Sequence, residues 1–160
     1  MEPTVARGGV VVVGVDGSPA SARALAWAAD EAATRAETLQ VITAWSWMPN
    51  APGAGSPHEA REHAEALAQA QVSEVLAGRA HPPVVSLEVV EDTAPAALAT
   101  ASRDASMIVV GSHGHSRLHH AVLGSVSLEV IRTAACPVVV IPAPSTAPEH
   151  GSDLSLEGIF

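Results

Sequence analysis

Five short apolar runs, separated by longer Ala-rich segments, constrain the fold of this chain more than any other feature of its sequence. The runs are rich in β-branched residues, have the length of strands and are bounded by Gly, Pro or polar residues. They lie at residues 9–15, 39–45, 84–90, 107–111 and 137–142. Strands that alternate with helices are joined by right-handed crossovers, so we expect a mainly parallel sheet covered by helices on both faces.

The segments between the runs have the spacing of amphipathic helices. The first begins with Ser18 as the expected N-cap and Pro19 at the first helical position. Its predicted apolar face consists of Leu25, Ala28, Ala29 and Ala32. Three further helices are predicted at about residues 57–79, 95–104 and 125–135. The stripe of the second helix that we expect to face the sheet consists of Ala64, Leu67, Ala68, Val72, Val75 and Leu76.

The length and charge of the chain limit the number of domains it can form and the classes of function it can have. With 160 residues, 48% of them hydrophobic, the chain has the size and apolar content of one domain. We predict a single doubly wound α/β domain whose five-stranded parallel sheet has the order 3-2-1-4-5. The net charge of −9 argues against nucleic acid as a partner. The sequence contains no Lys, which excludes a Schiff-base lysine and a phosphate loop that ends in Gly-Lys-Ser.

Cysteine usage and the apolar runs bear on location. The single cysteine, Cys136, cannot form an internal disulfide, and we interpret it as a buried, unreactive thiol. The amino terminus does not resemble a secretory signal, and the apolar runs are shorter than the roughly 20 residues that cross a bilayer. We therefore expect a cytoplasmic protein with no membrane partner.

Doubly wound sheets bind ligands beyond the carboxyl ends of their strands, where the strand order reverses. After the first run, Gly14, Val15 and Asp16 lead directly into a helix. Asp16 can accept a hydrogen bond from a ribose hydroxyl or hold the water of a cation. Alternatively, Asp16 and Ser18 only form the turn and cap the helix. The residues alone leave both interpretations open.

The stretch that follows the fourth run has the glycine spacing Gly111-x2-Gly114-x9-Gly124, with Ser125 next. Glycines allow backbone N–H groups to converge on an anion, and a helix that begins near Ser125 directs its free amides to the same point. The hydroxyls of Ser125 and Ser127 can add donors. Glycines at the exit of a strand more often serve the turn than a ligand, so the residues alone leave a turn and a phosphate cradle open. In a cradle, a Cβ at Gly114 or Gly124 would occupy the phosphate space.

Histidines in the same stretch raise the alternative of a zinc site. They are His113, His115, His119 and His120. Zinc sites need three or four converging ligands, usually with helical spacing or Cys partners, and this stretch has neither Cys nor a HExxH pattern. We favour solvated or phosphate-facing histidines, with His113 nearest the ligand. A hydrolase is also disfavoured, because the sequence has no G-x-S-x-G motif.

The Pro- and Gly-rich segment at residues 46–57 is predicted to be a flexible loop that lies over the site. Trp45 and Trp47 follow the second strand. They either line a pocket for the ligand or pack beneath the loop.

The spacing G-x2-G-x9-G-S, preceded by an apolar strand and followed by VSLEVIRTAACPVVVIP, resembles the nucleotide-binding signature of the universal stress protein family. The amino-terminal segment VVVVGVDGSPASARALAWAADEAA is similar to that family's first strand and helix. The resemblance covers residues 9–142. It leaves residues 1–8 as a short extension and residues 143–160 as a flexible C-terminal tail.

The resemblance implies an ATP site, residue by residue. It places Gly14, Val15 and Asp16 near the adenosine, and the backbone of Ala44 at the adenine. The phosphate site that it implies consists of Val110, Gly111, Ser112, His113, Gly114, Gly124, Ser125, Val126 and Ser127. Mg²⁺ would accompany the ATP, with Asp16 holding a metal-bound water. The loop lacks Lys, which leaves Arg117 and the histidines as its side-chain cations.

For the function, the resemblance implies a regulatory stress-response protein that acts through nucleotide-dependent conformation or an unidentified protein partner. A fast enzyme is not expected, since phosphoryl transfer needs a positioned base and the motifs show none. The resemblance also implies a homodimer through antiparallel pairing of the last strand, VVVI at residues 138–141. Two alternatives remain: an adenine-nucleotide enzyme of related fold, such as a slow ATPase or nucleotidyl transferase, and an interaction module that binds no nucleotide.

Overall fold

The computed structural model describes residues 8–113 and 123–144. Within these ranges, strands and helices alternate along the chain. The strands are β1 (Val10–Gly14), β2 (Thr38–Trp45), β3 (Val85–Glu91), β4 (Met107–Gly111) and β5 (Val138–Ile141). The helices are α1 (Pro19–Arg35), α2 (Pro57–Leu76), α3 (Ala94–Ala101) and α4 (Ser125–Thr133). Every predicted element is present, although α2, α3 and α4 end at Leu76, Ala101 and Thr133 rather than at the predicted residues 79, 104 and 135.

The five strands form one parallel sheet with the order β3-β2-β1-β4-β5, which confirms the predicted fold. The chain builds outward from β1 to β3 and then returns to place β4 on the other side of β1. The strand order therefore reverses between β1 and β4. The loops that leave these two strands diverge, which opens a crevice at the carboxyl edge of the sheet.

Both faces of the sheet are covered. Successive valines of β1 point to opposite faces, so Val11 and Val13 pack with α1 and α2, whereas Val12 packs with α3 and α4. The predicted apolar face of α1 is confirmed, because Leu25, Ala28, Ala29 and Ala32 are all fully buried. Small alanine side chains let this helix lie close against the sheet.

Helix α2 corrects the predicted stripe. Its buried residues are Ala68 and Gln71, whereas the side chain of Leu67 is 43% exposed. Val72 and Val75 pack partly against the core. The buried line therefore runs through 68, 71, 72 and 75, the spacing of one helical face, and Leu67 lies beside it. The prediction for Leu67 was wrong because a glutamine occupies a core position that the apolar pattern had skipped.

The described helices and the single cysteine bear on two further expectations. No helix in the ranges 8–113 and 123–144 combines the length and apolar character that a membrane span requires. Cys136 is half-buried between α4 and β5, and burial raises the pKa of its thiol. A raised pKa keeps the thiol protonated, as expected for an unreactive cysteine. Residues 1–7 and 145–160, and with them most of the predicted extension and tail, lie outside the described residues.

Candidate functional site

A cleft of about 290 Å³ opens at the carboxyl ends of β1, β2 and β4, where the strand order reverses. Five parts of the chain enclose it: the turn between β1 and α1, the end of β2, the start of α3, the end of β4 and the start of α4. Its described lining consists of Gly14, Val15, Asp16, Ser18, Ser21, Ile42, Ala44, Ala94, Leu98, Val110, Gly111, His113, Gly124, Ser125, Val126 and Ser127.

The structure places the sequence-predicted site residues around this one cleft, with two exceptions. Ser112 does not line the cleft but is buried next to it, with 2% of its surface exposed. Gly114 lies outside the described residues, as do the other residues from 115 to 122. Residues that are far apart in the sequence, such as Asp16 and Ser125, therefore border the same space.

Five lining residues were not predicted as ligand contacts: Ser18, Ser21, Ile42, Ala94 and Leu98. Ile42 could have been predicted from the sequence, because it precedes Ala44 by two residues and alternate residues of a strand share a face. Ala94 and Leu98 belong to α3, whose sequence carries no motif. Their contribution depends on how α3 packs against the sheet.

The side chains of the cleft wall near β1 and β2 are apolar. Leu98 is 2% exposed and lies against Gly14, where a Cβ would come within 3.0 Å of the Leu98 Cδ1 atom. Glycine at position 14 therefore allows α3 to pack tightly on the end of β1. Together with Ile42 and Ala44, Leu98 gives the cleft an apolar surface suited to a flat ring.

The backbone of Ala44 provides polar groups at this otherwise apolar wall. In β2, Thr38 and Ile42 bond toward β1, since the Thr38 N–H donates to Gly9 O and the Val15 N–H to Ile42 O. Leu39 bonds toward β3, where its N–H donates to Val84 O. By this alternation the N–H and C=O of Ala44 face the β1 side. The described ladder between β1 and β2 ends at the Val15 bond, so these two groups lie beyond it, at the cleft.

The turn between β1 and α1 is stabilised by its own side chains. Asp16 Oδ1 accepts from the Ser18 N–H at 2.9 Å, and Ser18 Oγ accepts from the Ser21 N–H at 3.2 Å as the N-cap of α1. Gly17 has a φ of +80°, a conformation that favours glycine. The turn-and-cap interpretation of Asp16 therefore holds. Asp16 is also exposed at the cleft, so its carboxylate borders the space that a ligand would enter.

The opposite wall, from the end of β4 to the start of α4, is joined through Ser112. The Ser112 carbonyl accepts from the Gly124 N–H at 2.5 Å and from Ser127 Oγ at 3.2 Å. The Ser112 N–H donates to Ile141 O at 2.9 Å, and its hydroxyl accepts from the Ala143 N–H at 3.2 Å. Ser112 thus ties the loop after β4 to the start of α4 and to the end of β5.

Helix α4 begins differently from the other described helices. Ser18, Ser56 and Thr93 cap α1, α2 and α3 with side-chain oxygens. The N-cap of α4 is Gly124, which has no side chain to accept from the first turn. The first-turn amides therefore receive no cap from an N-cap side chain, and their residues, 125–127, line the cleft. An uncapped helix start offers N–H donors and the positive end of the helix dipole to an anion.

The structure shows that Gly124 also has a role in packing. A Cβ on this residue would lie 3.1 Å from Ser112 O and 3.5 Å from His113 Cα, so it would point at the neighbouring backbone. The expectation that a Cβ here would occupy the phosphate space stays a prediction. Likewise, a Cβ on Gly111 would lie 3.0 Å from the backbone of Ala20. Both glycines allow two backbone segments to approach each other.

The expected role of Ser127 also changes. Ser127 is 2% exposed, and its hydroxyl donates to the carbonyls of Gly124 at 3.0 Å and Ser112 at 3.2 Å. A hydroxyl has one proton, which these carbonyls already engage. Ser127 can therefore offer its backbone N–H to an anion, while its side chain holds the loop.

Charged groups are few in the described lining. Asp16 is its one carboxylate, and His113 is its one residue with an ionisable nitrogen; the Nδ1 atom of His113 lies 2.9 Å from Ser112 Oγ. Arg117 and the other three histidines of the loop lie outside the described residues. The zinc alternative depends on those histidines, so it also lies outside the described residues. Among the described residues, no group of three or more His, Cys, Asp or Glu side chains is placed to hold a metal ion.

The loop between β2 and α2 does not lie where it was expected. No residue from 46 to 56 contributes to the described lining of the cleft. Trp45 does not contribute either, and Trp47 instead donates from Nε1 to Gly55 O at 3.3 Å within the loop. The tryptophans therefore do not form a wall of this cleft, and packing beneath the loop is the better interpretation.

Comparison with known sequences identifies relatives over most of the chain. A sequence model of the universal stress protein family matches residues 9–142. A universal stress protein of Mycobacterium tuberculosis is 37% identical over 143 residues, which cover 88% of this chain and 49% of the relative. One of Mycobacterium bovis is 40% identical over 133 residues, covering 81% and 44% respectively. The chain thus spans about half the length of the curated relatives that it matches.

Solved structures share the fold. UspA from Lactobacillus plantarum superposes with a TM-score of 0.70 at 23% identity, over 85% of this chain and 99% of that protein. A universal stress protein in complex with cAMP gives 0.62 at 23% identity, over 85% and 98%. One from Archaeoglobus fulgidus in complex with dAMP gives 0.58 at 23% identity, over 84% and 98%. With the family match over residues 9–142, the chain belongs to the universal stress protein family.

Proposed function

We propose that this domain binds an adenine nucleotide, ATP with Mg²⁺, in the cleft between β1 and β4. The observation that carries the proposal is the pairing of two sets of backbone groups in one cleft. The N–H and C=O of Ala44 lie beyond the β1–β2 ladder, and the uncapped amides of α4 lie on the opposite wall. One wall suits a base and the other suits a phosphate.

The base end fits adenine. Adenine offers an amino donor at N6 beside ring-nitrogen acceptors, which complements the C=O and N–H of a single residue such as Ala44. The ring would lie on the apolar surface formed by Ile42 and Leu98. Guanine carries an acceptor, O6, where adenine has its N6 donor, so it would oppose a carbonyl with a carbonyl. We therefore expect selectivity for adenine over guanine.

The phosphate end fits an anion that is held by backbone groups. The amides of Ser125, Val126 and Ser127 supply donors, and the Ser125 side chain is exposed beside them. Mg²⁺ takes carboxylate oxygens, usually together with water and phosphate, and Asp16 provides the carboxylate of the described lining. Bound Mg²⁺ would supply the positive charge that the described side chains of the cleft lack.

Two of the structural relatives support this ligand class. One is described as a complex with cAMP and the other as a complex with dAMP, and both ligands are adenine nucleotides. Both proteins share the fold of this chain, with TM-scores of 0.62 and 0.58. ATP itself is inferred from the glycine spacing and the resemblance to ATP-binding members of the family.

We further propose that the domain is a regulatory stress-response module and not a fast enzyme. In the described lining, the carboxylate of Asp16 also caps the turn before α1, and the His113 ring lies against Ser112 Oγ. What supports the proposal is that the sequence motifs show no base positioned for phosphoryl transfer from ATP. The nucleotide would act through conformation or a protein partner, in the cytoplasm.

The homodimer remains part of the proposal. Strand β5 lies at the edge of the sheet, and its four apolar residues, Val138–Ile141, are only partly buried. An apolar edge strand is a template for pairing with another chain. Antiparallel pairing of β5 between two copies would cover it. Sedimentation equilibrium at micromolar concentration tests this, and a stable monomer would contradict it.

Calorimetry with the purified chain tests the ligand. We expect binding of ATP in the presence of Mg²⁺, weaker binding when Mg²⁺ is chelated, and at least about tenfold weaker binding of GTP, because its base would leave an acceptor unpaired. Titrations with AMP and cAMP under the same conditions compare the affinities for adenine nucleotides that carry different phosphate groups. If none of these nucleotides bound, the domain would be an interaction module that uses no nucleotide.

A further inference from the structure

A buried side-chain amide on α2 reaches the turn that borders the cleft. Gln71 is 8% exposed and lies on the side of α2 that faces the start of α1. Its Nε2 donates to Ser18 O at 3.0 Å, and its Oε1 accepts from Ser21 Oγ at 2.8 Å. Both of its hydrogen-bonding ends are therefore fixed by α1. Gln71 itself does not line the cleft, whereas Ser18 and Ser21 do.

The same two serines hold Asp16. The Asp16 N–H donates to Ser21 Oγ at 3.3 Å, and Asp16 Oδ1 accepts from the Ser18 N–H at 2.9 Å. A continuous set of hydrogen bonds thus runs from Gln71 through Ser21 and Ser18 to both the backbone and the carboxylate of Asp16. Buried networks of this kind fix one conformation when their members are satisfied.

We propose that Gln71 is a positioning residue for the nucleotide site: through Ser18 and Ser21 it fixes the turn that presents the Asp16 carboxylate to Mg-ATP. This inference rests on the proposed function. An amide suits the position because it supplies one donor and one acceptor at the same time. An apolar side chain of the same length fills the space but offers neither group.

The test replaces Gln71 by a side chain of similar length that forms no strong hydrogen bond, Gln71→Met. Ser21 Oγ can then donate to Ser18 O, which already lies 3.0 Å away, and the cap bond of α1, from the Ser21 N–H to Ser18 Oγ, does not involve Gln71. We expect the dissociation constant for Mg-ATP to rise about fivefold, corresponding to the loss of one net hydrogen bond. The matched control is Gln69→Met on the exposed side of α2, where Gln69 bonds only to Glu65 among the described contacts. That variant should bind as the wild type does.

A double-mutant cycle separates positioning from general loosening of the fold. Asp16→Asn keeps a side-chain acceptor for the cap but removes the charge. If Gln71 acts through the Asp16 carboxylate, Gln71→Met will weaken Mg-ATP binding in the wild type and have little further effect in the Asp16→Asn background. Equal effects of Gln71→Met in both backgrounds would overturn the proposal.

Amide hydrogen exchange on the nucleotide-free protein gives a readout that does not depend on binding. We expect faster exchange at the Asp16 and Ser18 amides in Gln71→Met and no change in Gln69→Met. Unchanged exchange in Gln71→Met would overturn the positioning role even if binding weakened. If the wild type bound no nucleotide, the proposed function would fail, and faster exchange would still support Gln71 as the support of this turn.

Discussion

Helices α1 and α4 both begin at the cleft, but their first turns are satisfied in different ways. At α1, the Ser18 hydroxyl accepts from the Ser21 N–H, and Gln71 holds both serines from α2. At α4, Gly124 offers no side-chain oxygen. A helix start that is capped internally is stable without a ligand, whereas an uncapped start keeps its donors for an anion. The first wall therefore sets the shape of the cleft, and the second supplies its binding groups.

The largest expected effect on stability comes from crowding the uncapped wall. Gly111→Ala would place a Cβ 3.0 Å from the backbone carbon and oxygen of Ala20, so β4 and α1 would have to move apart. We expect the free energy of unfolding to fall by about 2 kcal/mol. Gly8→Ala is the control, since its Cβ would have one ordinary contact, 3.9 Å from Ala36 O. Urea denaturation of both variants measures the difference, and equal midpoints would contradict the close approach.

The next effect comes from removing the cap of the other wall. Ser18→Ala takes away the oxygen that accepts from the Ser21 N–H at 3.2 Å, and we expect a loss of about 1 to 2 kcal/mol in the free energy of unfolding. Ser125→Ala is the matched change on α4, where the serine is exposed and is not the N-cap residue. It should leave stability within about 0.5 kcal/mol and weaken Mg-ATP binding by roughly 1.5 to 3 kcal/mol. A reversed pattern would remove the distinction between the two walls.

A cap can also be added to the uncapped wall. Gly124 has φ −73° and ψ 165°, which an L-residue adopts readily, so Gly124→Ser can direct a hydroxyl at the first-turn amides. Gly124→Ala introduces the same Cβ without the oxygen and is the control for crowding against Ser112 O. We expect the serine variant to be more stable than the alanine variant by about 1 kcal/mol and to bind Mg-ATP more weakly. If the serine variant bound as tightly as the alanine variant, the α4 amides would not be the phosphate donors.

The smallest effect concerns pH and the capped helix α2. Glu59 accepts from the Ser56 N–H, and this bond holds the pKa of the Glu59 carboxyl below its usual value. A lowered pKa stabilises the fold at pH values above the ordinary carboxyl range, and this contribution is lost as the pH falls through the lower, folded-state pKa. Glu59→Gln retains a capping group that does not titrate. Thermal unfolding between pH 3 and about 6 should therefore show a shallower dependence on pH in this variant than in the wild type.

Particular residues show where sequence patterns were sufficient. The valines of β1, the alanines of α1 and the Ser18-Pro19 start of that helix gave correct predictions because each pattern depends on neighbours within one or two turns of chain. The predicted strand order was confirmed as well. The glycine spacing identified two of the segments that border the cleft, at Gly111 and Gly124.

Other residues show where the patterns failed. Apolar periodicity assigned Leu67 to the core of α2, since it cannot anticipate that the polar Gln71 is satisfied by serines about 50 positions away. The spacing of the glycines likewise does not reveal which way a Cβ at Gly124 would point. Nothing in the sequence of α3 indicated that Leu98 would form part of the wall.

The sequence by itself determined the alternation of strands and helices, the capped start of α1 and the glycines at which the loops turn. These features follow from local hydrogen bonding and from the period of the side chains along one element. Only the tertiary structure decided that Gln71 would support the Asp16 turn, that Leu98 would line the cleft and that a Cβ at Gly124 would meet Ser112. Each of these depends on the relative position of elements far apart in the chain, which packing of the whole core sets.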